Sequence, residues 1–224
     1  MTDFEFVYVG DPMCSWCWGF APVLDELQRA FTIPIRLVAG GLRPGDAAEP
    51  LNDRMRGTLA HHWDQVAART GQPFDYKVLE RDGWVYDTET ADTAVVTMRE
   101  LNPKETLSFF FKVQRAFYAD GIDVTDPSVY RGLVEGFDID PDLFMKSLNS
   151  PEMRERTWAD FNEARQLGVN GFPTLLLDEG DRMVTAAPGY VPAESLVPAI
   201  REWLNAQHAP IAAGLMCDID GDVC

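Results

Sequence analysis

The chain carries four cysteines, and their spacing is where its chemistry shows first. Cys14-Ser15-Trp16-Cys17 places two thiols near the start, and Cys217 and Cys224 lie at the far end. Residues three apart share one face of a helix, so Cys14 and Cys17 fall within the ~4.4–6.8 Å Cα separation that a disulfide tolerates. At a helix start the leading sulfur lies near unpaired backbone N–H groups and the positive end of the helix dipole, which favour thiolate over thiol. The expected roles follow: Cys14 attacks a disulfide and Cys17 resolves the mixed disulfide. The same spacing also serves as half of a zinc site or as two structural thiols. Zinc wants two more ligands nearby, and the other cysteine pair is remote, so no metal is assigned. Trp16 and Trp18 flank Cys17 and either shape a substrate surface or fill the core.

A thiol pair of this kind needs a strand to deliver it and a helix to start at it. Phe4, Phe6, Val7, Tyr8 and Val9 form a short aromatic and β-branched run that stops at Gly10-Asp11-Pro12, as expected of a strand covered on both faces. Behind the cysteines, Phe20, Val23, Leu24, Leu27 and Phe31 recur at helical spacing, and Pro34 to Ala39 reads as a second strand ended by Gly40-Gly41. This is a β-α-β unit with a parallel strand pair.

From about Ala47 to Leu167 the apolar period is 3.6, with Val95, Val96, Met98 and Leu101, then Leu107, Phe110, Phe111, Val113 and Phe117 on helical faces. Breaks at Gly71-Gln72-Pro73, Asn102-Pro103, Asp126-Pro127 and Asp140-Pro141 divide this stretch into about five or six helices. Ser150-Pro151-Glu152 is a helix start, with an N-cap, a first-position proline and an acid in the first turn, and Gly168 ends that helix. Thr174 to Leu177 and Arg182 to Thr185 then form a hairpin across Asp178-Glu179-Gly180-Asp181, followed by a helix from about Ala193 to Ala206. The order is that of one α/β domain interrupted by helices.

Two segments carry a family resemblance: Asp11-Pro12-Met13-Cys14-Ser15-Trp16-Cys17-Trp18-Gly19-Phe20, and Gly168-Val169-Asn170-Gly171-Phe172-Pro173-Thr174. Together, with helices between them, they resemble the DsbA-like branch of the thioredoxin superfamily, in particular its FrnE-like cytosolic members. The resemblance implies a thioredoxin-like fold with an inserted all-α helical domain. Its expected parts are residues 1–43 and 167–208 for the thioredoxin-like domain, 44–166 for the insertion and 209–224 for a tail holding the second cysteine pair. It also implies a cis bond before Pro173, opposite the cysteines, where Phe172 and Pro173 bind substrate through exposed backbone, and it matches Pro22 to a helix-kinking proline. The implied activity is thiol–disulfide exchange on a disulfide-containing protein or peptide, with no bound cofactor; the resemblance does not carry over the direction, so reduction or isomerisation, with glutathione or a thioredoxin-type protein among the candidate electron donors, stands beside oxidation. The alternative activity is that of a glutathione-dependent transferase or isomerase, since the kappa-class glutathione transferases and 2-hydroxychromene-2-carboxylate isomerases share the inserted helices, but these place a serine where Cys14 stands.

The formal charge of −17 opposes nucleic acid and anionic membrane surfaces as partners. Without a basic, then apolar, leading segment or a long apolar run, the sequence reads as cytoplasmic. In the tail, Cys217 and Cys224 form a possible second redox pair or regulator, or else loose thiols on a mobile end. Asp218, Asp220 and Asp222 begin like a calcium loop but lack its closing glutamate, and His61-His62 has no visible partner.

Overall fold

The computed structural model describes residues 4–206 and the strand at 217–218. Along the chain, β1 (Glu5–Gly10), α1 (Ser15–Ala30) and β2 (Ile35–Ala39) lead into β3 (Glu49–Pro50), α2 (Asp53–Thr70) and β4 (Val85–Tyr86). Then come α3 (Glu89–Leu101), α4 (Thr106–Tyr118), α5 (Tyr130–Leu133), α6 (Pro141–Leu148) and α7 (Pro151–Gln166). The last elements are β5 (Gly171–Phe172), β6 (Thr174–Asp178), β7 (Met183–Pro188), α8 (Ala193–Ala206) and β8 (Cys217–Asp218).

The four-stranded sheet has the order β2-β1-β6-β7. Its central strand β1 pairs in parallel with β2, Val9 opposite Val38, and antiparallel with β6, Val7 opposite Leu176. With neighbours on both edges, β1 buries Phe6 to Gly10, so its near-continuous apolar run suits it. β6 and β7 form the hairpin, and α8 packs beside α1, whose buried face includes Phe20, Val23, Leu24 and Leu27. This is a thioredoxin-like fold carrying a large helical stretch between β2 and β5.

Local chemistry sets the helix ends. Asn52 caps α2, accepting from the Met55 N–H, and Gly71 closes it with φ +76°, a left-handed conformation that favours glycine. Asp140 and Ser150 cap α6 and α7 in the same way, each followed by a proline whose missing N–H would have no helical partner. The β3–β4 ladder has two residues per strand, too short to leave a period in the sequence.

One buried apolar cluster runs from the sheet into the helices. Tyr8 on β1 stacks on Phe20 of α1 at 5.8 Å and meets Phe110 of α4 edge-on at 5.8 Å. Phe109, Phe110 and Phe117 are all fully buried as packing. At another seam, Arg99 of α3 makes a bidentate pair with Asp160 of α7 at 2.6 and 2.9 Å. Arg99 also donates to the Leu37 carbonyl and Asp160 accepts from the Ala39 N–H, so one ion pair joins two helices to β2.

Candidate active site

The two cysteines stand where β1 gives way to α1. Asp11 shapes the turn: its Oδ1 accepts from the Met13 N–H and its Oδ2 from the Leu42 N–H, both at 2.7 Å. Its backbone carbonyl accepts from the Cys14 N–H at 3.1 Å. The Met13 carbonyl accepts from two phenols, Tyr86 of β4 and Tyr118 of α4, so the helical stretch grips the residue before the first thiol.

Cys14 is the N-cap residue of α1, with extended backbone, and its carbonyl accepts the first helical hydrogen bond, from the Trp18 N–H at 3.0 Å. Cys17 lies within the first turn, and both cysteines are buried and not joined to one another. The Cys14 Sγ donates to the Phe172 carbonyl at 3.7 Å. Burial pushes the Cys14 thiol well above its ordinary range, and the Cys17 side chain adds to the rise. The Cys17 N–H at the helix start pulls the other way, as the sequence suggests, but loses to desolvation.

β5 supplies the facing loop. The Phe172–Pro173 peptide is cis, and the Thr174 hydroxyl donates to the Gly171 carbonyl at 2.8 Å. The Phe172 ring lies against Gly40 after β2, where an added Cβ would fall 2.4 Å from ring carbons, so a side chain there would force the ring to shift. Trp16 packs on Tyr190 at 5.6 Å, while Trp18 stacks on Tyr118 at 6.3 Å and its indole N–H donates to the Pro73 carbonyl. Both tryptophans are buried.

Residues that the cysteine motif does not announce complete the surroundings. Asp92 of α3 is fully buried beside Asp11, with its Oδ2 accepting from the Thr88 hydroxyl at 3.4 Å. Desolvation raises both carboxyls above the ordinary range, Asp92 further because the Asp11 charge opposes a second one. Asp11 sits inside the motif, but nothing in the sequence ties it to Asp92, Tyr86 or Tyr118, which only the fold brings near.

β8 pairs antiparallel with β5, Phe172 opposite Cys217 and Gly171 opposite Asp218. Cys224, Asp220 and Asp222 lie outside the described residues. His61 and His62 are on α2 with rings 6.3 Å apart. Among the described residues, no helix is long and apolar enough to cross a membrane.

The model of the DSBA-like thioredoxin domain matches residues 7–201. The ClpXP adapter protein SpxH of Bacillus subtilis is 27% identical over 171 residues, covering 74% of this chain and 55% of its own length, so the chain spans about half of that curated relative. A crystal structure of a candidate protein disulfide isomerase from Nitrosomonas europaea superposes with a TM-score of 0.84 at 34% identity, covering 92% of this chain and all of that one. The cytosolic disulfide reductase DsbM from Pseudomonas aeruginosa, also solved with GSH, has the same fold, with a TM-score of 0.73 at 23% identity over 90% of this chain and 99% of its own.

Proposed function

This chain belongs to the DSBA-like thioredoxin family, and on that premise we propose that it is a thiol–disulfide oxidoreductase acting on disulfide-containing proteins or peptides. The observation that carries the reading is the placement of Cys14 at the start of α1, one turn before Cys17 and 3.7 Å from the Phe172 carbonyl. In the proposed cycle the Cys14 thiolate attacks one sulfur of the substrate disulfide, forming a mixed disulfide and expelling the other sulfur as thiolate. Cys17 then attacks the Cys14 sulfur, closing the internal disulfide and releasing the reduced substrate. The reverse sequence oxidises a dithiol, so the direction follows from the potential of the pair relative to its surroundings.

The helix-start N–H of Cys17 stabilises the attacking thiolate, and the edge of β5 offers backbone groups to an extended peptide. Phe172 and Pro173 form that docking edge in this reading, with Trp16 and Trp18 fixing the helix start behind it. The electrons come from thiols alone. Glutathione or a thioredoxin-type protein returns the Cys14–Cys17 disulfide to the dithiol, and a cytoplasmic setting suits that supply.

The test is insulin or glutathione-disulfide turnover by the whole chain and by its Cys14→Ser variant. The variant should lose turnover by about a thousandfold or more, since it keeps the fold but lacks the nucleophile. Undiminished turnover would remove Cys14 from its role. A protein-binding role without exchange would instead survive the loss of both cysteines.

A further inference from the structure

Tyr8, Tyr86 and Tyr118 are buried phenols close to the thiol pair, and two of them are already engaged. Tyr86 and Tyr118 both donate to the Met13 carbonyl. Tyr8 of β1 has no exposed surface, and its hydroxyl has no hydrogen-bond partner among the described residues. Buried hydroxyls are seldom left in that state. Packing does not account for the hydroxyl, because the stacking on Phe20 and the edge contact with Phe110 use the ring alone, which phenylalanine would supply as well.

Its position gives the hydroxyl a task. Cys17 and Phe20 lie three residues apart on one face of α1, and both are fully buried. The Tyr8 ring stacks on Phe20, and its hydroxyl reaches along β1 as far as Gly10, where an added Cβ would fall 2.7 Å from the phenol oxygen. Beyond Gly10 comes the turn that carries the thiols. Desolvation holds the Tyr8 phenol well above its ordinary range, and Cys17 adds more to that rise than Cys14 or Asp11 does. Tyr8 therefore keeps its proton, and Cys17 is the ionisable neighbour that acts on it most strongly. Facing the same spot are Cys14, Asp11 with Asp92 beside it, Tyr86, Tyr118, and Arg43 over the Tyr86 ring.

We propose that the Tyr8 hydroxyl donates a hydrogen bond to the Cys17 thiolate and so is a catalytic group of the resolving step. This rests on the oxidoreductase reading and adds a residue to it. A thiol sulfur is a weak acceptor and a thiolate a strong one, so the bond is gained only when Cys17 ionises. A donor fixed beforehand at a buried site stabilises that charge without having to reorganise. In the step, Cys17 gives its proton to water and attacks the Cys14 sulfur. The Cys14–Cys17 bond forms, the bond from Cys14 to the substrate sulfur breaks, and the substrate leaves as a thiolate that takes a proton from water. The Cys17 sulfur is oxidised and the substrate sulfur reduced, while Tyr8 keeps its own proton. In the reverse direction Cys17 is the leaving thiolate, held by the same bond.

Full-length Tyr8→Phe keeps the ring and removes the donor. Reduced wild-type and variant chains would be mixed with excess labelled disulfide peptide, quenched with acid at intervals and weighed intact, which separates capture by Cys14 from release by Cys17. Release should slow by about tenfold or more in the variant, with the mixed disulfide accumulating, while capture stays within about twofold of wild type. The pH profile of release should move to higher pH. Release at the wild-type rate, or capture and release slowed equally with the profile unmoved, would overturn the proposal. A second measurement retains the hydroxyl. A 3-fluorotyrosine placed at position 8 of the Cys14→Ser chain should give a fluorine resonance that shifts as Cys17 ionises, and adding Cys17→Ala should remove that shift. A resonance indifferent to Cys17 would equally overturn the proposal. Insulin turnover by the wild-type chain separates the two readings: turnover with a release step that Tyr8→Phe leaves unaffected sinks this inference alone, and absence of turnover sinks the function beneath it.

Discussion

Two buried carboxylate sites in this molecule are stabilised in opposite ways. Where α3 and α7 meet β2, the Asp160 side chain is 8% exposed and is answered by a full cation, the bidentate Arg99. Beside the thiols, Asp11 and Asp92 are fully buried next to each other, and desolvation holds both above the ordinary carboxylate range. The first arrangement fixes architecture, because a bidentate pair satisfied by backbone groups has one good geometry. At the second, desolvation makes each carboxyl hold its proton more tightly than an ordinary one does. A charge that only braces the fold is neutralised by its opposite, whereas burial disfavours the charged form of the carboxyls near Cys14.

Breaking the first site should have the largest effect on stability. Arg99→Ala strands the Asp160 carboxylate and should cost about 3 kcal/mol in a urea titration, while turnover per folded molecule stays near wild type. A loss of turnover with little loss of stability would place the seam in the chemistry rather than the frame. Gly40→Ala comes next, because its Cβ must displace the Phe172 ring. A stability loss of about 1–2 kcal/mol is expected from overpacking, together with a raised KM for a disulfide peptide at the displaced edge. An unchanged KM would show that the position of Phe172 does not govern docking.

The smallest effect sharpens the contrast. A carboxyl whose folded pKa is raised binds its proton more tightly in the folded chain. Its stabilisation is present below the unfolded pKa, about 4, and is lost as pH rises through the folded value. Asp92→Asn keeps a neutral group in place and removes that loss, so the variant should gain melting temperature relative to wild type more at pH 8 than at pH 5. An equal difference at both pH values would mean that Asp92 is not held protonated.

The parts of this fold that were legible in the sequence are those written locally. β1, α1 and the hairpin of β6 and β7 follow from period and turn residues, and Ser150-Pro151 and Gly168 bound α7 because caps act within a few residues. What stayed hidden depends on distance along the chain. Tyr86 and Tyr118 reach the Met13 carbonyl from two separate elements, and Asp92 meets Asp11 from a third. The helix start pulls Cys14 toward thiolate, but burial outweighs that pull and raises the thiol, a balance that no short motif records. The two-residue strands β3, β4, β5 and β8 have no readable period, and β8 gains its meaning only from its partner.

The central claim is that Cys14 is the sulfur that takes a substrate. A full-length chain carrying Cys17→Ala and Cys217→Ser lacks the thiol proposed to resolve the adduct and the cysteine at the register position opposite Phe172, so reduced protein mixed with a labelled disulfide peptide should keep what it captures. Intact-mass and peptide mapping should find one peptide per chain, bound to Cys14 and released by reductant. Label on Cys224 with Cys14 still a thiol, or no label at all, would contradict the account.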